Sequence, residues 1–241
     1  MRKKNSSPLL APQPLTRAAL WVAMILVALL ATGCASTPEG PSLQALVISE
    51  PAGQTVLLGD KPVGVSPLEL GLVGLDEAAS LTVQSTETNK VIERRIQILD
   101  PSNVRVVLTV QDEPSELAKA LGLQNILVFD YGARASFEVD KFDISPTVLP
   151  LLKNQAEVLS ARFAGADLFV CGHTDSSGGE DHNRVLSLRR AQAVADVLTQ
   201  NGLDAQRLKV QGFAADYPLA PNDTAEGKAV NRRTEIVLGL D

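Results

Sequence analysis

Cysteine is nearly absent: the 241 residues hold two, at positions 34 and 171. Two such thiols make neither a disulfide framework nor a Cys-rich metal site. Aromatic residues are also scarce, at 4% with a single Trp (Trp21), and charged residues make up only 21%, with a net charge of −6. All charges in the first 33 residues are basic (Arg2, Lys3, Lys4, Arg17), and setting them aside leaves 18 basic against 28 acidic residues. An acidic, aromatic-poor chain argues against nucleic-acid binding, which rests on neutralising phosphates. After the N-terminus no apolar run reaches 18 residues, which argues against a multispan helical membrane protein. What the chain does have is 45% hydrophobic residues, enough to build one large core or two small ones.

The N-terminus reads as an address. Arg2-Lys3-Lys4 is followed by a polar spacer, Arg17 and the apolar run Ala18–Leu30, 13 residues long. That run is short for a membrane span and right for a signal-peptide core. It ends in Ala31-Thr32-Gly33-Cys34, which resembles the lipobox of bacterial lipoproteins, with Ala31 where an aliphatic residue is usual. The resemblance implies a signal peptide over 1–33, lipidation (palmitate among the acyl chains) at Cys34 and a tether over 34–42. Ordinary signal cleavage beside an incidental Cys is the alternative. Ala35 follows the Cys, so resemblance to lipoprotein sorting favours the outer membrane, periplasmic side, over the inner. Several acyl chains make a stable anchor, each buried CH₂ contributing roughly 0.8 kcal/mol.

Residues 43–110 read as all-β. Short runs at Leu46–Ile48, Thr55–Leu58, Leu68–Leu70, Leu81–Val83, Val91–Ile98 and Val104–Val110 are punctuated by Pro51-Ala52-Gly53, Gly59-Asp60 and Asp100-Pro101. The spacing predicts a small antiparallel sandwich. Within it, Pro51-Ala52-Gly53, Thr55–Leu58, Gly59-Asp60 and Gly64-Val65-Ser66-Pro67-Leu68 resemble a PEGA domain. A later Pro-Gly turn of that pattern is replaced here by Gly74-Leu75-Asp76-Glu77. Residues 111–124 read as a charged linker with room for one or two helical turns after Pro114.

From residue 125 the periodicity changes. Ile126–Phe129 predicts a strand and Ala135–Val139 a second. Leu149, Leu152, Ala156, Leu159 and Phe163 recur at helical spacing, giving a helix over 145–163 with Ser145 as N-cap and Pro146 in the first turn. Asp167–Cys171 reads as a buried strand, with Cys171 a structural thiol. Leu188, Ala191, Val194, Ala195 and Leu198 mark a second helix ended by Asn201-Gly202. A strand at Leu208–Val210, a short helix at Ala225–Val230 and a last strand at Arg233–Leu238 complete an alternation that predicts helices packed on one face of a sheet.

Between the middle strand and the second helix runs Gly172-His173-Thr174-Asp175-Ser176-Ser177-Gly178, then Asn183, Leu186-Ser187 and Arg190-Ala191. Strand ends beside helix starts are where α/β folds hold ligands. A helix N-terminus there favours an anion. A carboxylate leaving the strand and a guanidinium on the helix suit a zwitterion. The Asp takes an ammonium, and the Arg takes a carboxylate in a two-pronged hydrogen bond.

These residues, with Gly212-Phe213, Pro218, Asn222, Gly227 and Asn231-Arg232-Arg233, closely resemble the OmpA-like C-terminal domain of peptidoglycan-associated lipoproteins and flagellar stator proteins. The resemblance extends over 125–241. It implies an outer-membrane lipoprotein that binds peptidoglycan non-covalently through the diaminopimelate of its stem peptide. Asp175 and Arg190 would grip the ligand, with Asn183, Arg232 and Thr174 in support. Glu138, after Phe137, stands where the family often has Asp. The fold class expected is thus α+β: a PEGA-like β-sandwich over 43–110, then an OmpA-like α/β sandwich, a mixed sheet with helices on one face.

Other readings of the same residues stay open. Asp175 could cap its loop, Arg190 could pair on the helix surface, and Arg232-Arg233 could be structural. His173 could hydrogen-bond within the loop. His173, Asp175 and His182 lack the spacing of a helix-borne zinc site, and Asp175–Asp181 lacks regular calcium ligands. No Ser in this stretch has a base and an orienter in a motif. No cofactor, metal or enzymatic activity is therefore expected. The competing function classes are an envelope scaffold whose β-domain recruits a partner protein, and a wall-active enzyme, for which no acid/base pair is seen.

Overall fold

The computed structural model describes residues 43–84, 90–132 and 140–240. The signal peptide, the tether and Cys34 therefore lie outside the described residues, as do Phe137, Glu138 and the strand expected at Ala135–Val139. From Leu43 onward the described residues belong to one compact unit.

Its centre is an eight-stranded mixed sheet. The strands are β1 (Leu43–Glu50), β4 (Leu68–Leu72), β6 (Val91–Asp100), β7 (Asn103–Gln111), β8 (Ile126–Asp130), β9 (Leu168–Gly172), β10 (Leu208–Gly212) and β11 (Thr234–Gly239). Their order is β10-β9-β11-β8-β6-β7-β1-β4. A second sheet of β2 (Thr55–Leu58), β3 (Lys61–Val65) and β5 (Leu81–Val83) has the order β3-β2-β5.

Two strand pairings depart from the expected antiparallel sandwich. β1 pairs with β7 in parallel, Val47 opposite Val106. β6 also pairs in parallel with β8, Arg95 opposite Val128. The first is possible because residues 51–102 form a long crossover between the two strands. The second joins the expected β-domain to the C-terminal part in one sheet. The segment read as a linker is thus a crossover inside the fold. It contains α2 (Glu116–Leu121), begun by Ser115, whose side chain accepts from Ala118 N, and stopped by left-handed Gly122. The helical turns expected there are present.

Strand alternation sends side chains to two faces. On one face Leu127, Phe129, Val170, Ile236 and Leu238 pack with α3 (Leu149–Arg162) and α4 (Glu180–Gln200), through Leu152, Ala156, Leu159, Ala191, Val194 and Leu198. The same core takes in Val47, Val106 and Ile96 of the N-terminal strands and Val56 and Leu81 of the small sheet. On the other face Ile126, Val128, Phe169, Cys171 and Val237 pack with Leu117, Ala118 and Leu121 of α2. Helices therefore cover both faces. The expectation of one covered face assigned the helical turns after Pro114 to a linker, because six residues are too few to show which face they bury.

Local signals account for the other differences. α3 starts at Leu149, not Ser145, and no side chain caps it. Ser145 Oγ instead lies 2.8 Å from Thr147 Oγ1. Pro150 occupies the first turn, where its missing N–H leaves no donor unsatisfied. The Gly74-Leu75-Asp76-Glu77 stretch opens a helix, α1 (Leu75–Ser80), that sequence periodicity did not reveal. The fifth helix, α5 (Ala225–Asn231), is begun by Thr224, whose side chain accepts from Gly227 N.

Candidate functional site

The site forms where β9 and β10 end and β11 begins. β9 and β11 run antiparallel with Gly172 opposite Thr234. One step beyond, His173 N donates to Arg233 O at 2.9 Å. Continuing that ladder past the strand ends brings the Thr174-Asp175 turn level with Asn231-Arg232. β10 follows on the other side, with Thr174 N donating to Ala214 O at 2.8 Å.

Glycine decides how closely the helix can approach. A Cβ on Gly172 would lie 2.0 Å from Ser187 O, and one on Gly212 would lie 2.5 Å from Leu188 N. Both strands thus press against the α4 backbone at Ser187-Leu188. Ser187 Oγ accepts from Ala214 N at 3.1 Å and donates to Arg184 O at 3.0 Å. Leu-Ser before the helix Arg is thus a packing device that carries Arg190 one turn further along the same face.

Asp175 is buried and held from three directions. Oδ1 accepts from Ser177 N at 2.7 Å, and Oδ2 accepts from Arg232 Nη1 at 2.7 Å. Its carbonyl accepts from Asn183 Nδ2 at 3.3 Å, and the same amide donates to Ser177 O at 2.8 Å. Burial pushes the Asp175 carboxyl up, but Arg232 and the Ser177 N–H outweigh it and hold the group below the ordinary carboxylate value. The loop is anchored again where Ser176 N donates to Asn222 Oδ1 at 3.1 Å. Asn222 in turn accepts from Asn231 Nδ2 at 3.0 Å. An open cleft of about 230 Å³ borders this loop, lined by Ser176, Gly178, Glu180, Asn183, Ala214 and Asp216 among others.

Arg190 is only 2% exposed and donates from Nε to Lys141 O at 3.0 Å. Burial, and then the nearby Arg232 charge, lower its pKa, while Asp140 and Asp175 oppose that shift. The two guanidiniums and the Asp175 carboxylate therefore share one electrostatic neighbourhood. Arg232 forms an ion pair with Asp175, and Arg190 lies close enough to feel both charges. Thr174 is buried, and its Oγ1 has no hydrogen-bond partner among the described residues. All four described positions expected around Asp175 are thus assembled here: Thr174, Asn183, Arg190 and Arg232.

The two histidines part company. His182 Nε2 lies 2.9 Å from Asp140 Oδ1 at the surface. His173 is buried, stacked on Phe213 at 5.7 Å between ring centroids, with Nε2 3.3 Å from Glu235 Oε2. Burial and Arg233 lower its pKa against the pull of Glu235. His173, Asp175 and His182 therefore do not gather into a metal set.

Sequence reasoning missed the charged cluster beneath this loop. Glu235 accepts from Arg233 Nε at 2.6 Å and from Arg95 Nη1. Arg95 Nη2 donates to Glu93 at 3.0 Å, and its Nη1 lies 3.7 Å from Asp130. Burial would raise the Glu235 pKa, but Arg233 and Arg95 hold it well below the usual range. A lone acidic residue in Thr234–Gly239, where its neighbours are aliphatic, was the available signal. A buried charge needs a counter-charge.

The described residues thus form a mixed sheet backed by helices, with a carboxylate held ionised and two guanidiniums beside it where β9 and β10 end and β11 begins. Residues 136–232 match the model of the OmpA family, and the C-terminal part of this chain is an OmpA-like domain. Probable lipoprotein YiaD of Escherichia coli is 38% identical over 112 residues, 46% of this chain and 51% of that protein. Peptidoglycan-binding protein ArfA of Mycobacterium bovis is 30% identical over 162 residues, 65% of this chain and 49% of that protein. The chain thus spans about half the length of these curated relatives. Among solved structures, the cell wall anchor of the T6SS from Pseudomonas aeruginosa is 33% identical, with a TM-score of 0.42. That match covers 47% of this chain and 81% of the other.

Proposed function

We propose that this chain binds peptidoglycan without turning it over, by gripping the zwitterionic end of diaminopimelate, and that lipid at Cys34 ties the outer membrane to the wall. The observation that carries the reading is the Asp175 carboxylate, ionised by Arg232 and the Ser177 N–H, with Arg190 in the same electrostatic neighbourhood. Asp175 supplies the acceptor for an ammonium. Arg190, with Arg232, supplies the donors for a carboxylate. Relatives named as a lipoprotein and as a peptidoglycan-binding protein support the envelope setting.

Charge-assisted hydrogen bonds of this kind contribute on the order of 1.5–3 kcal/mol each, less solvation costs. Affinity for a single site is therefore modest, and many anchored copies on one polymer add avidity. The test is sedimentation of the full chain with purified peptidoglycan, with free meso-diaminopimelate as competitor. Asp175→Ala and Arg190→Ala are expected to stay in the supernatant while melting cooperatively. Unchanged pelleting of both variants, or pelleting insensitive to the competitor, overturns the reading.

A further inference from the structure

The buried charges beneath the Asp175 loop come from both halves of the sequence. Arg95 belongs to β6, in the N-terminal β-segment, and reaches Glu235 on β11, 140 residues later. Glu235 is fully buried. Facing it are Arg95 from β6, Asp130 from the end of β8, Arg233 from the start of β11 and His173 just past β9. Glu93 lies behind Arg95.

Two of these residues are chain neighbours of the site. Arg233 follows Arg232, and His173 lies two positions before Asp175. The backbone of His173 is itself bonded to that of Arg233. Glu235 thus gathers, on one carboxylate, the side chains beside both members of the Asp175–Arg232 pair. The second guanidinium makes the arrangement balance. Glu235 and Asp130 are both buried carboxylates, and without Arg95 they would compete for Arg233 alone. Removing one member of a buried charge cluster leaves the others uncompensated, and they must move or change protonation.

We infer that Arg95 is a positioning residue for the Asp175–Arg232 pair, acting through Glu235, so that the N-terminal β-segment completes the binding site of the C-terminal domain. The inference rests on the wall-binding reading for its ligand only. The geometry of the pair can be followed without one.

The test uses the full chain and two measurements. The first is the carboxyl ¹³C titration of Asp175, which needs no ligand. The second is the affinity for meso-diaminopimelate by calorimetry. In Arg95→Met the Asp175 titration is expected to move up toward an ordinary carboxylate, and affinity to fall by about fivefold or more. Should that variant fail to fold, Arg95→Met/Glu235→Gln, which leaves no orphaned carboxylate on Glu235, is measured in its place with the same expectation. A core variant, Leu159→Ala, is expected to lose stability and keep the parent titration. A folded Arg95 variant with the parent Asp175 titration overturns the inference, as does an equal shift in the core variant. If the parent itself does not bind diaminopimelate, the wall-binding reading fails, and the titration still decides the role of Arg95.

Discussion

Asp175 and Arg232 stand 57 residues apart in the chain and share a 2.7 Å hydrogen bond. The contact follows from the β9–β11 register, which continues past both strand ends. A pair built on a ladder is held by backbone geometry. Removing its charge should therefore alter binding more than stability.

Asp175→Asn keeps the size of the side chain and its acceptor for Ser177 N. It is expected to melt within about 1 kcal/mol of the parent, because the Arg232 partner is partly exposed and solvent screens the pair. The same variant is expected to lose peptidoglycan pelleting. Thermal melts alongside sedimentation check both halves.

Gly172→Ala tests the close approach of helix and strand. The added Cβ would fall 2.0 Å from Ser187 O, a backbone atom fixed within α4. Overpacking of this sort costs about 3 kcal/mol. The expected result is a clear drop in the denaturation midpoint, together with weakened binding as α4 and Arg190 shift. A variant as stable as the parent would show that the helix can move away without cost.

Asn231 is buried and makes four hydrogen bonds. It accepts from Leu219 N and Ala220 N and donates to Ala220 O and Asn222 Oδ1. Asn222 holds Ser176 N. Asn231→Ala leaves buried backbone groups unpaired, at about 1–3 kcal/mol each. Amide exchange is expected to quicken at Ser176 as well as at Leu219 and Ala220. Quickening confined to 219–220 would show that the Asn222 relay does not hold the loop.

Stability should fall in two stages as pH is lowered. The folded-state pKa of His173 is depressed by burial and Arg233, so the unfolded chain takes up a proton first. Stability is then lost as pH drops below about 6.5, the unfolded His value. Glu235 and Asp175 have depressed carboxyl pKa values. Their contributions are full above the unfolded carboxylate range and are lost as pH falls through and below about 4. Asp130, raised by burial and Glu235, acts in the opposite sense. His173→Gln is expected to flatten the first stage and spare the second, as read by denaturant midpoints across pH.

Much of this arrangement could be read from local pattern. Ile126–Phe129, Asp167–Cys171 and the 3.6-residue repeat around Leu152, Ala156 and Leu159 announce their elements, because burial on one stripe or in one strand leaves a period in the sequence. Short elements leave none, so α1 was not read as a helix and α2 only as a helical turn or two inside a linker. The second helix was legible only from Leu188, since Glu180–Ser187 is mostly polar and buries the polar side chains Asn183 and Ser187 beside Leu186, which blurs the apolar period.

The residue types at the site, Asp175, Asn183, Arg190 and Arg232, were fixed by the chain alone, as was the alternation of strand and helix around them. Which guanidinium meets Asp175, and that Arg95 of the first half is buried against Glu235 of the second, only the assembled sheet decided. Side-chain period is a local property of one element. The neighbour a strand takes and the charge it must bury beside depend on pairings across more than a hundred residues.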